Sequence, residues 1–161
     1  MSKKTTTVPA AFEPEFVEAL RVMFEEHITF NRVLGLKIAD VQPEVVTGSI
    51  AMKPELVGHF HYNRVHGGVT SACLDAMGGL AAMAAIGARH LDEPVAERMQ
   101  RFSKLGTIDL RVDYLRPVIG DRFDLRAEVL RLGSRVATTR MEWKGADGKL
   151  LAVAMGAYIV S

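Results

Sequence analysis

Two features of the sequence, eight residues apart, carry groups that could do chemistry. The run His66-Gly67-Gly68 precedes a long apolar segment, and Asp75 is the one acidic residue between Val65 and Ala88. If the glycines begin a helix, its first amides lack partners within the helix and attract an anion or a developing oxyanion. The same glycines could instead serve only to let the helix pack closely. A carboxylate buried in a helix must be paired, hydrogen-bonded or kept for function. Asp75 is therefore either a base or nucleophile, or a structural partner of a loop or an arginine.

The spacing of Gly67 and Asp75 decides how they could act together. Eight residues of helix span about 12 Å, whereas an oxyanion donor and a base must both lie about 3 Å from one reacting centre. The two groups of one chain therefore cannot serve the same carbonyl. Two antiparallel copies related by a two-fold axis would place each Gly67 beside the partner's Asp75. The spacing predicts a composite active site and an obligatory homodimer.

Neither the cysteine nor the histidines of this region favour a different chemistry. Cys73 is the single cysteine; it lies two positions from Asp75, and no histidine lies three or four residues away to activate it. We therefore expect a buried, unreactive thiol. His59, His61 and His66 are close in sequence but lack the carboxylate or thiolate of a usual zinc set. We expect no bound metal.

The elements that would position these groups follow from the periodicity of the chain. Residues 65–88 are long and apolar enough to span a membrane, but they are rich in Ala and Gly and include Asp75. We interpret them as a soluble helix that other elements enclose on all sides. Before this helix, the pattern predicts an amphipathic helix, two strands and a loop, over residues 13–30, 34–41, 45–52 and 53–65. After it, a second, charged helix is predicted over residues 91–103.

From residue 107 onward the period changes from helical to alternating, which is typical of strands. Four strands are predicted, over residues 107–115, 122–132, 135–144 and 149–160. Hairpin turns at Gly133-Ser134 and Asp147-Gly148 would make the last three antiparallel. We predict one α+β domain over residues 11–161, with a loose tail at residues 1–10.

The first of these strands is predicted to have two different faces. Strict alternation places one apolar set together, namely Ile108, Leu110, Val112 and Tyr114. The same alternation places Thr107 with Asp109 and Arg111 on the opposite, solvent-facing side.

Composition and charge exclude several classes of protein. The 161 residues are 48% hydrophobic and 24% charged, which indicates a globular chain, and the net charge of +1 does not favour nucleic acid. No apolar run follows the two lysines near the N-terminus, so a secretory signal is not predicted. A single cysteine does not indicate an oxidising compartment. We expect a soluble cytoplasmic protein that binds neither nucleic acid nor membrane.

Two motifs together resemble a known enzyme family. His66-Gly-Gly-Val-Thr-Ser-Ala-Cys-Leu-Asp75 and Gly106-Thr-Ile-Asp-Leu-Arg-Val-Asp-Tyr-Leu-Arg-Pro117 are similar to motifs of the hotdog-fold thioesterases of the PaaI-like group. The run Phe30-Asn-Arg and the second motif also resemble the proteobacterial YigI-like subgroup. The resemblance covers residues 30–160 and implies a hotdog fold, in which a curved antiparallel sheet wraps around one long helix. It further implies homodimers, assembled as dimers of dimers, that hydrolyse medium- to long-chain acyl-CoA thioesters without a separate cofactor.

The resemblance also implies roles for single residues. The Gly67 amide, next to His66 in the motif, would polarise the thioester carbonyl, and Asp75 of the other subunit would attack it or activate water. Thr107 would help to place that water. Family members also use an Asn or Gln ahead of the His-Gly-Gly run. This chain departs from that pattern and offers His59, His61 and Asn63 instead; we choose Asn63, because a neutral amide donates without titrating.

The phosphates of coenzyme A need hydrogen-bond donors and positive charge. We expect Gly68, Arg64 and Arg135 to hold them. Further basic candidates are Arg98, Arg101 and Lys104.

Two other functions remain open on the sequence alone. A hotdog hydratase or dehydratase needs a histidine paired with an acid beside the acyl chain, whereas His66 would lie at a helix mouth. A hotdog dimer could also bind acyl-CoA as a sensor without catalysis. Asp75 and Thr107 argue against the sensor, because binding alone does not require them.

Overall fold

The computed structural model describes residues 12–161, so the tail predicted for residues 1–10 lies outside the described residues. The helices are α1 (Pro14–Val22), α2 (Thr29–Leu34), α3 (Gly67–Ala88) and α4 (Val95–Gln100). The strands are β1 (Lys37–Val41), β2 (Val45–Ala51), β3 (Val57–His59), β4 (Arg64–Val65), β5 (Gly106–Tyr114), β6 (Arg122–Leu132), β7 (Val136–Gly145) and β8 (Leu150–Ile159).

The main sheet has six strands in the order β1-β2-β6-β7-β8-β5, and every neighbouring pair is antiparallel. Helix α3 lies across one face of this sheet and contacts β2, β5, β6, β7 and β8. The core forms between them from the buried side chains of α3 and of the sheet, with Trp143 and Phe123 among the largest. The predicted α+β architecture, a sheet around one long helix, is confirmed.

Helix α3 is long and apolar enough to cross a membrane by length and composition. In the protein, however, 67% of its most apolar 18-residue window is buried among the other elements. Small side chains allow this, because Ala and Gly let the sheet approach the helix axis closely. The interpretation of residues 65–88 as an enclosed core helix agrees with this burial.

The N-terminal region differs from the single helix predicted over residues 13–30. Helix α1 continues into one π-helical segment, Met23–His27, and the helix then breaks at Ile28, whose backbone is extended (φ −77°, ψ 95°). A second helix, α2, carries the chain to Leu34 and ends at Gly35 in the left-handed region (φ 77°). The first strand therefore begins at Lys37 rather than at residue 34, because Leu34 is buried as part of a helix.

Two further predictions were too simple. The loop predicted over residues 53–65 contains a short hairpin, in which β3 and β4 pair Val57 with Val65. The charged helix predicted over residues 91–103 begins only after Pro94, which occupies the N-cap position and has no N–H to donate. It ends at Gln100 and continues as a 3₁₀ turn, Arg101–Lys104. The remaining strands lie within about two residues of their predicted bounds.

Candidate active site

Asp75 lies two turns into α3 and is only partly buried. The Thr107 hydroxyl, from β5, donates to Asp75 Oδ1 at 2.9 Å. The Tyr158 hydroxyl, from β8, lies 3.1 Å from the same Oδ1 and 3.0 Å from the Asp75 carbonyl oxygen. Asp75 Oδ2 accepts no hydrogen bond from residues 12–161. The carboxylate is thus held through one oxygen, and the other remains available.

Thr107 reaches Asp75 because of a bulge at the start of β5. Thr107 pairs with Tyr158 and Asp109 pairs with Ala157, so Ile108 is an extra residue that β8 does not match. A bulge of this kind reverses the side-chain alternation on one side of it. Thr107 therefore shares the inner face with Leu110, whereas Asp109 faces outward. The predicted placement of Ile108 on the face of Leu110, with Thr107 on the opposite face, was therefore wrong, and Ile108 is 58% exposed.

Tyr158 is a residue near Asp75 that the sequence did not point to. Its side chain is 1% exposed, and two glycines make the space for its hydroxyl. A Cβ at Gly78 would lie 2.2 Å from the phenol oxygen, and one at Gly156 would lie 2.9 Å from it. Burial and the nearby charge of Asp75 raise the pKa of the Tyr158 phenol above its ordinary value. The phenol therefore stays protonated and acts as a donor. The one sequence signal was a lone tyrosine following small residues at the inward positions of β8.

The mouth of α3 is organised by His66, which occupies the N-cap position. Its Nδ1 accepts a hydrogen bond from the Gly68 amide at 2.9 Å, which satisfies one of the amides that begin the helix. The Gly67 amide has no acceptor among residues 12–161, and Gly67 is exposed. The Tyr114 hydroxyl donates to the Gly67 carbonyl oxygen at 2.8 Å. The site therefore offers one free amide, held in place by a strand residue.

A cleft of about 550 Å³ opens beside this helix mouth. Gly67, His66 and Tyr114 line it, and Arg64 and Arg116 bring positive charge to it. Arg116 donates to the Leu150 carbonyl at 2.7 Å, so one side of its guanidinium is already engaged. Positive charge and a free amide make this cleft suitable for an anionic or carbonyl-bearing ligand.

The other predicted contacts are dispersed. Asn63 is exposed and has no hydrogen bond to Asp75 or Gly67 within residues 12–161. It lies at the turn between β3 and β4 with a left-handed backbone (φ 46°), a conformation that asparagine adopts more readily than most residues. Arg135 lies in the turn between β6 and β7, at the opposite end of the sheet from Gly67, where its carbonyl accepts from the Val160 amide. The structure brings Thr107 to Asp75 but places Asn63 and Arg135 elsewhere.

Two of the further basic candidates are engaged in ion pairs. Arg98 is 1% exposed, pairs with Glu13, and lies over the Phe16 ring at 4.3 Å from its centroid. Arg101 pairs with Glu93. These arrangements explain the two arginines by packing between elements, without a ligand.

Cys73 behaves as a core side chain. It is fully buried, and burial raises the pKa of its thiol to about 12. At neutral pH the thiolate that a nucleophile requires is therefore not formed. Asp75 remains the candidate base or nucleophile on α3.

Within one chain, Gly67 and Asp75 lie two helical turns apart on α3, about 12 Å along its axis. The free amide and the free carboxylate oxygen do not meet in a single subunit. They could meet only across two copies of the chain.

Known proteins share both the sequence pattern and the fold. The thioesterase superfamily pattern matches residues 62–152. The medium/long-chain acyl-CoA thioesterase YigI of Escherichia coli (strain K12) is 38% identical over 138 residues, covering 86% of this chain and 89% of YigI. A crystal structure of a Shewanella oneidensis protein related to the thioesterase superfamily is 41% identical, with a TM-score of 0.85 over 91% of this chain and 96% of that one. Zebrafish thioesterase superfamily member 2, at 18% identity, shares the fold with a TM-score of 0.72 over 90% of this chain and 98% of its own.

Proposed function

Because this chain belongs to the thioesterase superfamily, we propose that it hydrolyses medium- to long-chain acyl-CoA in the cytoplasm, at a site shared by two subunits. Thioester hydrolysis itself follows from the family and from the 38% identity to an acyl-CoA thioesterase. The observation that carries the proposed site is the state of Asp75, whose Oδ1 is anchored while Oδ2 is free. A carboxylate held in this way is suited to activate water or to attack a carbonyl carbon.

The shared site rests on the position of β5. This strand lies at the edge of the sheet and pairs only with β8 within residues 12–161. Tyr114, at one end of β5, holds Gly67, and Thr107, at the other end, holds Asp75. If two copies of β5 pair antiparallel about their middle, Tyr114 of one subunit lies near Thr107 of the other. The same pairing brings the free Gly67 amide towards the partner's Asp75.

The exposed edge of β5 has the side chains expected of a surface that pairs with another chain. Large apolar side chains are exposed along it: Ile108 is 58%, Tyr114 53% and Leu115 47% accessible. An unpaired edge strand with such side chains favours addition of another strand.

The proposal also includes assembly of two dimers into a dimer of dimers. Mass measurement in solution would distinguish two from four copies of the 17.7 kDa chain.

The proposed reaction begins with the thioester oxygen accepting from the Gly67 amide at the positive end of α3. The partner's Asp75 then acts through Oδ2 in one of two ways. As a base, it takes a proton from water while the water oxygen attacks the carbonyl carbon. As a nucleophile, it attacks that carbon and forms an anhydride, which water then hydrolyses.

Both routes pass through a tetrahedral intermediate, and the other site residues support it. The Gly67 amide stabilises the negative oxygen of the intermediate, and collapse of the intermediate breaks the C–S bond. In the base route, the coenzyme A thiolate takes the proton that Asp75 received from water, and the carboxylic acid leaves. In the nucleophile route, collapse releases the coenzyme A thiolate and leaves the anhydride; water then cleaves the anhydride to the carboxylic acid and Asp75, and one proton of the water passes to the thiolate. His66 shapes the helix mouth by capping Gly68, and Thr107 keeps Asp75 oriented.

The remaining predicted ligand contacts stay part of the proposal. Arg64 lines the cleft and would contact the phosphates, whereas Gly68 could do so only if His66 released its amide. Asn63 and Arg135 would have to reach the substrate from other positions in the assembly.

A substrate series tests the proposed activity. Purified protein is incubated with acyl-CoAs from two to eighteen carbons, and thiol release is followed with a chromogenic disulfide. We expect turnover that is highest for medium and long chains. Saturable binding without thiol release would favour a sensor, and a change at an enoyl double bond would favour a hydratase.

A pair of variants tests the proposed site. Asp75→Asn is nearly isosteric and should lower kcat at least about 100-fold, because it removes the base or nucleophile. Asp92→Asn makes the same substitution at an exposed carboxylate in the loop between α3 and α4, away from β5, and should leave kcat unchanged. Activity of Asp75→Asn within a few-fold of wild type would remove Asp75 from the mechanism.

A further inference from the structure

A free carboxylate side chain has two equivalent oxygens, and rotation about its last bond exchanges them. At Asp75 this equivalence is broken, because two hydroxyls from two different strands converge on Oδ1. Thr107 lies 2.9 Å and Tyr158 lies 3.1 Å from that atom. Rotation of the carboxylate would require both contacts to break or to exchange oxygens. Oδ2 is thereby selected as the oxygen that faces the reacting centre.

The surroundings of Tyr158 are built to accept a phenol at this point. The ring is buried beneath α3, and its hydroxyl occupies space that any side chain at Gly78 or Gly156 would fill. Interior glycine destabilises a helix relative to alanine. Glycine at helix position 78 leaves room for the ring and hydroxyl of Tyr158 and for the Thr139 hydroxyl, so the phenol can reach Asp75.

The hydrogen bond between Tyr158 and Asp75 has a fixed direction. A carboxylate oxygen and a carbonyl oxygen can only accept, so the phenol is the donor in its contacts with Asp75. The buried hydroxyl nearby, that of Thr139, donates to Met141 Sδ at 3.0 Å. Oδ1 of Asp75 therefore accepts from two hydroxyls, those of Thr107 and Tyr158.

From this convergence we infer that Tyr158 is a positioning residue for thioester hydrolysis, which anchors Oδ1 of Asp75 together with Thr107 and presents Oδ2 to the substrate. The inference rests on the proposed function, in which Asp75 is the base or nucleophile. Its rival is a purely structural role, because the phenol also lies 3.0 Å from the Asp75 carbonyl oxygen and could only clamp the helix.

Tyr158→Phe removes the hydroxyl and keeps the ring, and Tyr62→Phe is the matched control at an exposed loop phenol. We expect Tyr158→Phe to lower kcat about 10- to 100-fold with KM within about two-fold, because a misdirected carboxylate costs reaction geometry rather than binding. The acidic limb of the pH profile should move to higher pH, since a donor to the ionised carboxylate is gone. Tyr62→Phe should change neither quantity.

The clamp role makes a different set of results. If Tyr158 only clamps the helix, Tyr158→Phe should have a lower unfolding temperature, but kcat and the pH profile of the folded protein should be unchanged. That outcome would overturn the inference. A further comparison uses the Asp75→Asn background, where the Phe substitution should cause no additional loss of rate if Tyr158 acts through Asp75. A multiplicative loss there would also overturn it.

Two controls separate the possible failures. If Tyr158→Phe does not fold, Thr107→Val removes the other anchor from a more exposed position, and it should lower kcat with KM unchanged and move the acidic limb in the same direction. An unchanged rate in folded Thr107→Val would overturn the anchoring of Oδ1. Full activity in Asp75→Asn would refute the proposed function itself, whereas an inactive Asp75→Asn beside a fully active Tyr158→Phe would refute only the positioning role.

Discussion

Replacing Gly67 with proline would delete one N–H from the site and change little else. Gly67 is the first residue of α3, a position where proline is favoured. His66 already has the extended backbone (φ −64°, ψ 137°) that a residue before proline needs. The atoms nearest to a Cβ at position 67 would be those of the Tyr114 ring and hydroxyl, at the ordinary contact distances of 3.5 to 3.6 Å. Because the Gly67 amide has no acceptor within residues 12–161, no internal hydrogen bond is lost.

The size of the effect follows from the role of the amide. Loss of one oxyanion donor lowers kcat by about 10²- to 10³-fold, or about 2.7 to 4 kcal/mol of transition-state stabilisation. The ground-state carbonyl is a weaker acceptor than the oxyanion, so KM should change much less than kcat. Gly67→Ala adds the same Cβ but keeps the N–H, and we expect it to stay within a few-fold of wild type.

The assay compares kcat and KM of the two variants by thiol release from the preferred acyl-CoA, after circular dichroism and thermal unfolding have shown that both are folded. Equal activity in folded Gly67→Pro and Gly67→Ala would refute the amide as oxyanion donor. Equal inactivity in both would indicate that the space above the helix mouth matters, and not its hydrogen bond.

Three further outcomes are expected. Co-refolding inactive Asp75→Asn with inactive Gly67→Pro should restore about a quarter of wild-type activity per subunit. Half of the dimers are then heterodimers, and each heterodimer carries one intact site of two. No recovery from demonstrably mixed variants would place the site within one chain. Gly78→Ala should lower kcat at least about 10-fold, because its Cβ would lie 2.2 Å from the Tyr158 oxygen and displace the phenol from Asp75. Gly79→Ala is the control, since the nearest atom to its Cβ would lie at 3.7 Å, and it should not lower kcat. Equal rates in the two variants would contradict displacement of the phenol. The raised pKa of Cys73, about 12, means that the native chain keeps a proton that the unfolded chain releases near pH 9, so stability falls as pH rises from 9 towards 12. Denaturant unfolding of Cys73→Ala should show a shallower decline over that window, by at most about 1.4 kcal/mol per pH unit, and parallel declines would refute the assignment.

The parts of the fold that sequence predicted well are those with local signals. Helix α3 begins at the glycine pair and ends with the Ala-rich run, and β6 occupies its predicted range of residues. The hairpins between β6 and β8 follow from turn residues that need no distant partner. The free amide at Gly67 and the reactive carboxylate at Asp75 could be proposed for the same reason.

The parts that sequence did not predict depend on distant partners. The bulge at Ile108 exists only relative to β8, which lies some fifty residues later in the chain, and simple alternation assumes one residue opposite one residue. The bond between Tyr158 and Asp75 joins positions 83 residues apart, and its space is made by glycines on two different elements. The break at Ile28 interrupts a region whose apolar spacing would suit a continuous helix.

The enclosure of α3 has a consequence for the synthesis of the protein. Residues 67–88 leave the ribosome before β5 to β8, the strands that cover much of the helix. About 70 more residues must be made before β8 is complete, which takes roughly 4 to 14 s at cellular translation rates. During that interval a segment long and apolar enough to resemble a membrane span is exposed. Its Ala- and Gly-rich composition, together with Asp75, lowers the tendency of such a segment to insert into a bilayer, so a residue proposed for the active site also affects how the nascent chain partitions.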